Sequence, residues 1–376
     1  QEGFRNTGPN RSFQRISKRL ASRDIDKKES PTDKILFPDT HMTNKTKNNT
    51  KARYLKTIGI INNNPLGRGF AHPVDIAIDE NEIYILNKHP GFTRVGVCTF
   101  DEEYLREFGS YGKEEGQFQL PTGLTISDTT VFVCDEYHNN VSMFKKGGEF
   151  IGAWGTHGND EGEIDGPSGI VSDKSGHVYV TDQNNHRIQK FTGNGTYISS
   201  FGSYGDGRGQ LNQPWGLTIA PNESIYVADW GNNRIQRFSQ DGIFIETIGG
   251  PNPEKGSLHC PSKPAVDQDG YVYVSDWGNE SVKIYNPSGT FIQKLRGEAT
   301  LSKWAKDFLE ANPDENNERV KSDLMPDLPD HFNTPYLIST QIESYFWGPA
   351  SLYVDQKQRL YVVELSRHRI QIYDMN

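Results

Sequence analysis

Apolar residues along this chain come in short bursts rather than long runs. From residue 53 onward, groups of four to six residues rich in Val, Ile, Tyr and Phe alternate with clusters of Gly, Asn, Asp and Ser. Bursts of that length and composition, bounded by turn formers, read as β-strands. The bursts repeat as sets, and each set opens on a proline. The six openings are Pro73-Val-Asp-Ile-Ala-Ile-Asp, Pro121-Thr-Gly-Leu-Thr-Ile-Ser, Pro167-Ser-Gly-Ile-Val-Ser-Asp, Pro214-Trp-Gly-Leu-Thr-Ile-Ala, Pro261-Ser-Lys-Pro-Ala-Val-Asp and Pro349-Ala-Ser-Leu-Tyr-Val-Asp, at spacings of 48, 46, 47, 47 and 88. In the third set the strands fall at Ser168–Ser172, Val178–Thr181, Arg187–Phe191 and Tyr197–Phe201, with Lys174-Ser-Gly, Asn184-Asn and Gly193-Asn-Gly as turns. Four short strands per repeat, six times over, predict an all-β fold: a six-bladed β-propeller.

The sixth set ends after three strands, at Ala350–Val354, Leu360–Val363 and Arg369–Tyr373. A segment shaped like the missing fourth lies before the first proline, at Tyr54-Leu-Lys-Thr-Ile-Gly59. The N-terminal strand is therefore expected to complete the last blade and close the ring, which removes an exposed sheet edge. The expected organisation is a basic extension over 1–52 and a propeller over 53–376, with an insertion at 296–345 that lengthens the last spacing.

Within the repeats, Phe201-Gly-Ser-Tyr-Gly-Asp-Gly-Arg-Gly-Gln210 is followed by Pro214-Trp-Gly-Leu217, Tyr226-Val-Ala-Asp229 and Asn232-Asn-Arg-Ile-Gln-Arg-Phe238. This order resembles the NHL repeat, over residues 53–376 apart from the insertion. The first copy departs at Asn87 and the sixth at Glu364, where the others carry Asp. The resemblance implies the propeller fold, but the family spans enzymes, RNA binders and interaction scaffolds, so fold alone does not name an activity.

Strand order puts the loops after the second and fourth strands on one face. That face receives Asp135, Asp182, Asp229 and Asp276, the arginines Arg187, Arg234 and Arg369, the Gly-rich loops and the insertion. Recurrence in blade after blade gives the Asp and Arg a structural reading, each Asp bonding its turn and pairing with the Arg. A ligand or partner site should instead break the repeat. At the channel mouth the breaks are Asp75, Thr122, Ser168, Trp215 and Lys263, with Trp215 able either to stack on a ligand or to plug the channel.

His138, His186 and His368 occupy nearly equivalent loops of blades two, three and six. Converging on the axis they could hold zinc with an open position for water; as turn histidines at separate blades they hold nothing. Amidating lyases with similar repeats take zinc ligands from histidines just after the anchor proline, where this chain has Val74, Thr122, Ser168, Trp215, Ser262 and Ala350. No cofactor is expected on the leading reading; zinc or calcium belongs to the alternative, a metal-dependent lyase or hydrolase of the streptogramin-lyase type.

Composition sharpens the picture in two ways. Hydrophobic residues are 34% of the chain, aromatics 11% and glycines 37 in number, which suits thin blades with tight turns and not a helical bundle. No apolar run is long enough to span a bilayer as a helix. Cys98, Cys134 and Cys260 make no disulfide framework. The chain opens on Gln1 without a methionine, which fits a processed or trimmed start, with no signal peptide left to read.

The net charge of -9 is unevenly spread. Residues 1–55 carry +7, the insertion -5 and the remaining body -11. An acidic body disfavours nucleic acid, whose affinity comes from phosphate neutralisation. In the extension, Phe13, Ile16 and Leu20 share a helical stripe among Arg11, Arg15, Lys18, Arg19 and Arg23, suited to an anionic membrane surface or an acidic protein. In the insertion, Leu301, Trp304, Ala305, Phe308 and Leu309 predict an amphipathic helix ended by Asn312-Pro313, and Trp347 closes an aromatic return to the ring. The insertion reads as a lid packed on the face or as a recognition surface, which makes Trp304 and Trp347 candidate partner residues. The partners expected are other protein subunits, including self-association through 1–52. Sequons occur at Asn10, Asn44, Asn48, Asn140, Asn194, Asn222 and Asn279; several are expected by chance in so Asn-rich a chain, and Asn194, in an outer turn, is the most accessible to a glycosylating cell. The expected setting is extracellular, cell-surface or periplasmic rather than cytoplasmic. The resulting expectation is a non-catalytic interaction module that binds through the face carrying the insertion.

Overall fold

The computed structural model describes residues 51–375 apart from 63, 65 and 251–255. The amphipathic stretch around Phe13, Ile16 and Leu20, with nearly all of the 1–52 extension, lies outside the described residues. The rest is a six-bladed β-propeller in which every blade is a four-stranded antiparallel sheet. Blade one is Pro73–Asp79, Glu82–Asn87, Arg94–Thr99 and Tyr104–Phe108. Blade three is Pro167–Ser172, Val178–Asp182, Arg187–Phe191 and Tyr197–Phe201, within a residue of the strands read from the sequence.

Ring closure follows the expected route. Blade six contributes Pro349–Val354, Arg359–Glu364 and Arg369–Asp374. Arg53–Ile58 pairs antiparallel with the last of these, Arg53 opposite Asp374 and Ile58 opposite Ile370. The core lies between blades rather than within them, because a four-stranded sheet buries its two faces only against its neighbours. Tyr179, Ile188 and Phe238, for example, share one buried cluster across the seam of blades three and four.

Blade four is irregular at its inner edge. Its first strand is only Leu217–Ile219, because Gly216 donates to the carbonyl of Ser262 in blade five at 2.9 Å. A Cβ at Gly216 would lie 2.5 Å from that oxygen. The glycine of the Pro-x-Gly motif is thus a requirement for close approach of neighbouring blades near the axis.

The insertion carries three helices, α1 (Lys303–Ala311), α2 (Pro313–Lys321) and α3 (Pro335–Gln341). Helix α1 begins at a Ser302 cap, whose hydroxyl accepts the Ala305 N–H, and ends at Asn312 as expected. Pro313, read from sequence as a stop, also starts α2, since proline is well placed in a first helical turn. Asp314 and Glu315 in the first turn and Arg319 and Lys321 in the last complement the helix dipole. Among the described residues no helix is long and apolar enough to cross a membrane.

Candidate functional site

The candidate mouth residues meet at the axis, where they bond to one another or to the next blade. Two residues after each anchor proline, blades two, three and four carry Gly123, Gly169 and Gly216, while blades one, five and six carry Asp75, Lys263 and Ser351. The three side chains fill the space that the three glycines leave. Lys263 Nζ lies 2.5 Å from Asp75 Oδ1, and the Ser351 hydroxyl donates to the same oxygen at 2.6 Å. The other carboxylate oxygen accepts the Leu124 N–H of blade two at 2.9 Å. Asp75 therefore ties four blades together.

One residue after the proline, hydroxyls extend the belt. Thr122 donates to the Pro167 carbonyl at 2.6 Å, Ser168 to the carbonyls of Pro214 and Trp215 at 3.1 Å, and Ser262 to that of Pro349 at 3.0 Å. The space left among these residues and Trp215 is about 10 Å³, no more than one water-sized probe.

The recurring acidic residues are hubs that hold the Gly-rich loops. Asp229 accepts from the Asn212 backbone at 2.7 Å, Arg234 Nε at 2.7 Å, Asn232 at 2.9 Å and Gln236 at 3.0 Å. Arg234 in turn donates to the carbonyls of Asp206, Gly207 and Gln210, and Gln236 accepts the Gly209 N–H. Asp182 repeats the pattern with Arg187 and Gln189. Glu364, the departing copy, does the same with Arg369 and Gln371. The Asn-x-Arg-Ile-Gln motif supplies the donors and acceptors that the backbone of a Gly-rich loop, outside any sheet ladder, needs in order to be fixed.

The histidines belong to a second repeating device that sequence reading missed. Asn139, His186, Asn233, Glu280 and His368 all adopt left-handed backbone with φ between 48° and 57°. Each reaches across a seam to accept the N–H just before the next anchor proline. The acceptances are from Gly166 at 2.9 Å, Gln213 at 3.0 Å, Cys260 at 2.8 Å, Gly348 at 2.6 Å and His72 at 3.0 Å. His138, His186 and His368 are therefore not brought together. His186 and His368 spend Nδ1 on separate seams, and His138 Nδ1 faces Asp135 at 3.5 Å. Among the described residues no group of His, Cys, Asp and Glu is arranged to hold a metal ion. The signal that could have found the latch was in the sequence: one residue of Asn, His or Glu type, 47 residues from its counterpart in each of the first four cases.

A different trio does meet. His72 stacks on His89 with ring centroids 5.0 Å apart and tilts against His368 at 4.6 Å. Stacked faces do not aim lone pairs at one point, so the cluster is packed as rings and not as ligands. Burial, with the His72 and His89 charges, pushes His368 down to about 4, and burial with His89 lowers His72.

A family model of the NHL repeat matches residues 165–191 and 211–238. The chain carries NHL repeats. No curated protein matches it. Among solved structures, the propeller is similar to a streptogramin B lyase at 14% identity and TM-score 0.52, over 86% of this chain and 98% of that one. It is similar to catalytically inactive virginiamycin B lyase from Staphylococcus aureus with quinupristin at 14% and 0.51, over 85% and 98%. A Bacteroides thetaiotaomicron protein of unknown function scores 14% and 0.54, over 82% and 70%. At this identity the likeness is one of fold.

The insertion clasps the seam where the ring closes. Trp304 is 4% exposed. Its indole N–H donates to the Glu102 carbonyl at 2.6 Å, and its ring meets Phe70 edge-on at 5.7 Å. The Glu102 carboxylate accepts the Lys303 N–H at 2.8 Å and the Gly59 N–H at 3.2 Å, so one side chain joins insertion, closing strand and blade one. Trp304 is thus an anchor inside the protein. Trp347 is half-buried between Arg367, 5.3 Å away, and Tyr336, 6.0 Å away. Arg296 bonds the carbonyls of Asn279 and Glu280 and the Ser339 hydroxyl, fixing α3 above blade five. Glu280 is buried beside this arginine, and burial raises its carboxyl to about 8.

Proposed function

We propose that the protein is a non-catalytic NHL propeller that serves as a protein-interaction module of a larger assembly and binds through the insertion. The observation that carries this reading is the unfinished burial of α1 and α2. The α1 stripe seats Trp304 but leaves Phe308, one turn on, 47% exposed, and Val320 and Met325 follow at 78% and 58%. Large apolar side chains gathered on a segment that lies outside the repeat suit a partner surface. Arg68 of the neighbouring loop, 3.6 Å from Asp307, adds the polar rim that such patches carry. The partners in this reading are other protein subunits, and the basic residues 1–52 supply a second contact, including self-association.

A photo-activated cross-linker placed at Phe308 or Met325, in extracts of the source cells, tests the reading against the same probe on the outer strand at Ile198. One defined adduct from the insertion, lost in a Phe308→Glu, Met325→Glu double variant of unchanged melting temperature, is the expected result. Equal labelling from both sites, or none, would sink it. The lyase alternative rests on likeness of fold, and elemental analysis of the purified protein for stoichiometric zinc or calcium is its own test.

A further inference from the structure

The channel that is closed at its mouth opens at the opposite end as a well of about 500 Å³. That is within the size range of small-molecule sites, which combine mostly apolar walls with a few placed polar groups. Five residues after each anchor proline the wall receives Ile78, Ile126, Ser172, Ile219, Val266 and Val354, one from each blade. Lys263 closes the inner end. Its ammonium is already held by Asp75, so the floor presents no unbalanced charge.

The rim has a composition of its own. Gln240, Gln268, Gln356 and Gln358, from blades four, five and six, stand along one arc of the well. Among the described residues none of these four side-chain amides has a hydrogen-bond partner. Elsewhere in the ring, glutamines such as Gln189, Gln236 and Gln371 are fully engaged in hubs. Beside them, on blades three and four, Lys174 and Glu223 lie 3.9 Å apart, while the two other carboxylates of the lining, Asp173 and Asp355, are paired with Lys190 at 3.8 Å and Arg359 at 2.6 Å. Four open amides each carry two donors and an acceptor oxygen. They match a head group rich in hydroxyls, and the aliphatic wall beneath matches a hydrocarbon chain.

We propose that this well binds a neutral single-chain amphiphile of the alkyl glycoside class, chain inward and sugar against the glutamine arc. The site is on the face away from the insertion and is independent of the partner reading above. A charged head is disfavoured because each charged side chain of the lining already has an oppositely charged neighbour within 4 Å. A free sugar is disfavoured because it leaves the wall wet.

Isothermal titration of the full chain with octyl β-D-glucoside below its micellar concentration tests the site, with glucose and octyl sulfate as comparison probes. Saturable one-to-one binding is expected for the glucoside and much weaker binding for the other two. Thr218→Trp, which fills the well from its wall, should abolish binding. The triple variant Gln240→Ala, Gln268→Ala, Gln356→Ala, on side chains at the rim, should weaken it by about tenfold or more and stays informative if Thr218→Trp does not fold. Absent glucoside binding, glucose binding as tightly, octyl sulfate binding as tightly, or a glucoside affinity untouched by the glutamine changes would each overturn the proposal.

Discussion

Asp75 and Lys263 are the residues on which the closed mouth depends. Both side chains are nearly buried, so removing one leaves the other as an uncompensated charge, a loss of about 3–5 kcal/mol. Asp75→Ala is expected to lower stability by that amount in urea unfolding, and Asp75→Ala with Lys263→Met by clearly less than the sum of the two single changes. The pair was partly legible: both residues break a repeat that has glycine at the same place in three blades. That they meet was not, and Ser351 drew no notice because a serine resembles the small residue it replaces. At the ring-closing seam, His368 carries the second residue-scale prediction. Its folded value near 4 lies below the ordinary 6.5, so the folded state binds fewer protons there than the unfolded one. The stability it contributes is full above 6.5 and is lost as pH falls from there toward 4. His368→Asn keeps the latch acceptor that Asn139 and Asn233 supply at other seams, so the variant should lose part of this acid sensitivity. Melting temperatures from pH 4 to 8 would show it as a smaller drop than in the parent protein.

At the scale of elements, strands were easier to read than contacts between them. Alternating bursts and turn residues report local geometry, which explains why blade three matched within a residue. Blade four departed because Gly216 bonds to blade five, a tertiary contact that no local pattern records. The insertion shows the same division. The apolar stripe located α1, but not that Trp304 would be sealed against Glu102 and Phe70 while Phe308 stayed outside. Trp304→Ala is expected to cost about 3–5 kcal/mol, the range for a large buried aromatic. If Trp304 clasps the seam, amide exchange in Arg53–Ile58 should rise more than in the outer strand of blade three. Equal change in both strands would mean that the insertion does not act on the closure.

Across the whole molecule, the closing strand makes a ring out of six unequal sheets. A chain that starts at residue 51 should melt cooperatively. One that starts at residue 60 lacks Arg53–Ile58, leaves the edge of Arg369–Asp374 unpaired, and should aggregate or lose its cooperative transition. Calorimetry of the two chains checks this directly. The sequence by itself determined the strands, the repeat, the number of blades and the route of closure, because these follow from side-chain alternation and from turn residues a few positions apart. Only the tertiary structure decided which side chains meet at the axis and at the seams. Lys263 and Asp75 are 188 residues apart, and Ser351 and Asp75 are 276 apart. A ring brings such residues together by its closure and curvature, which are properties of all six blades at once and are written in none of them.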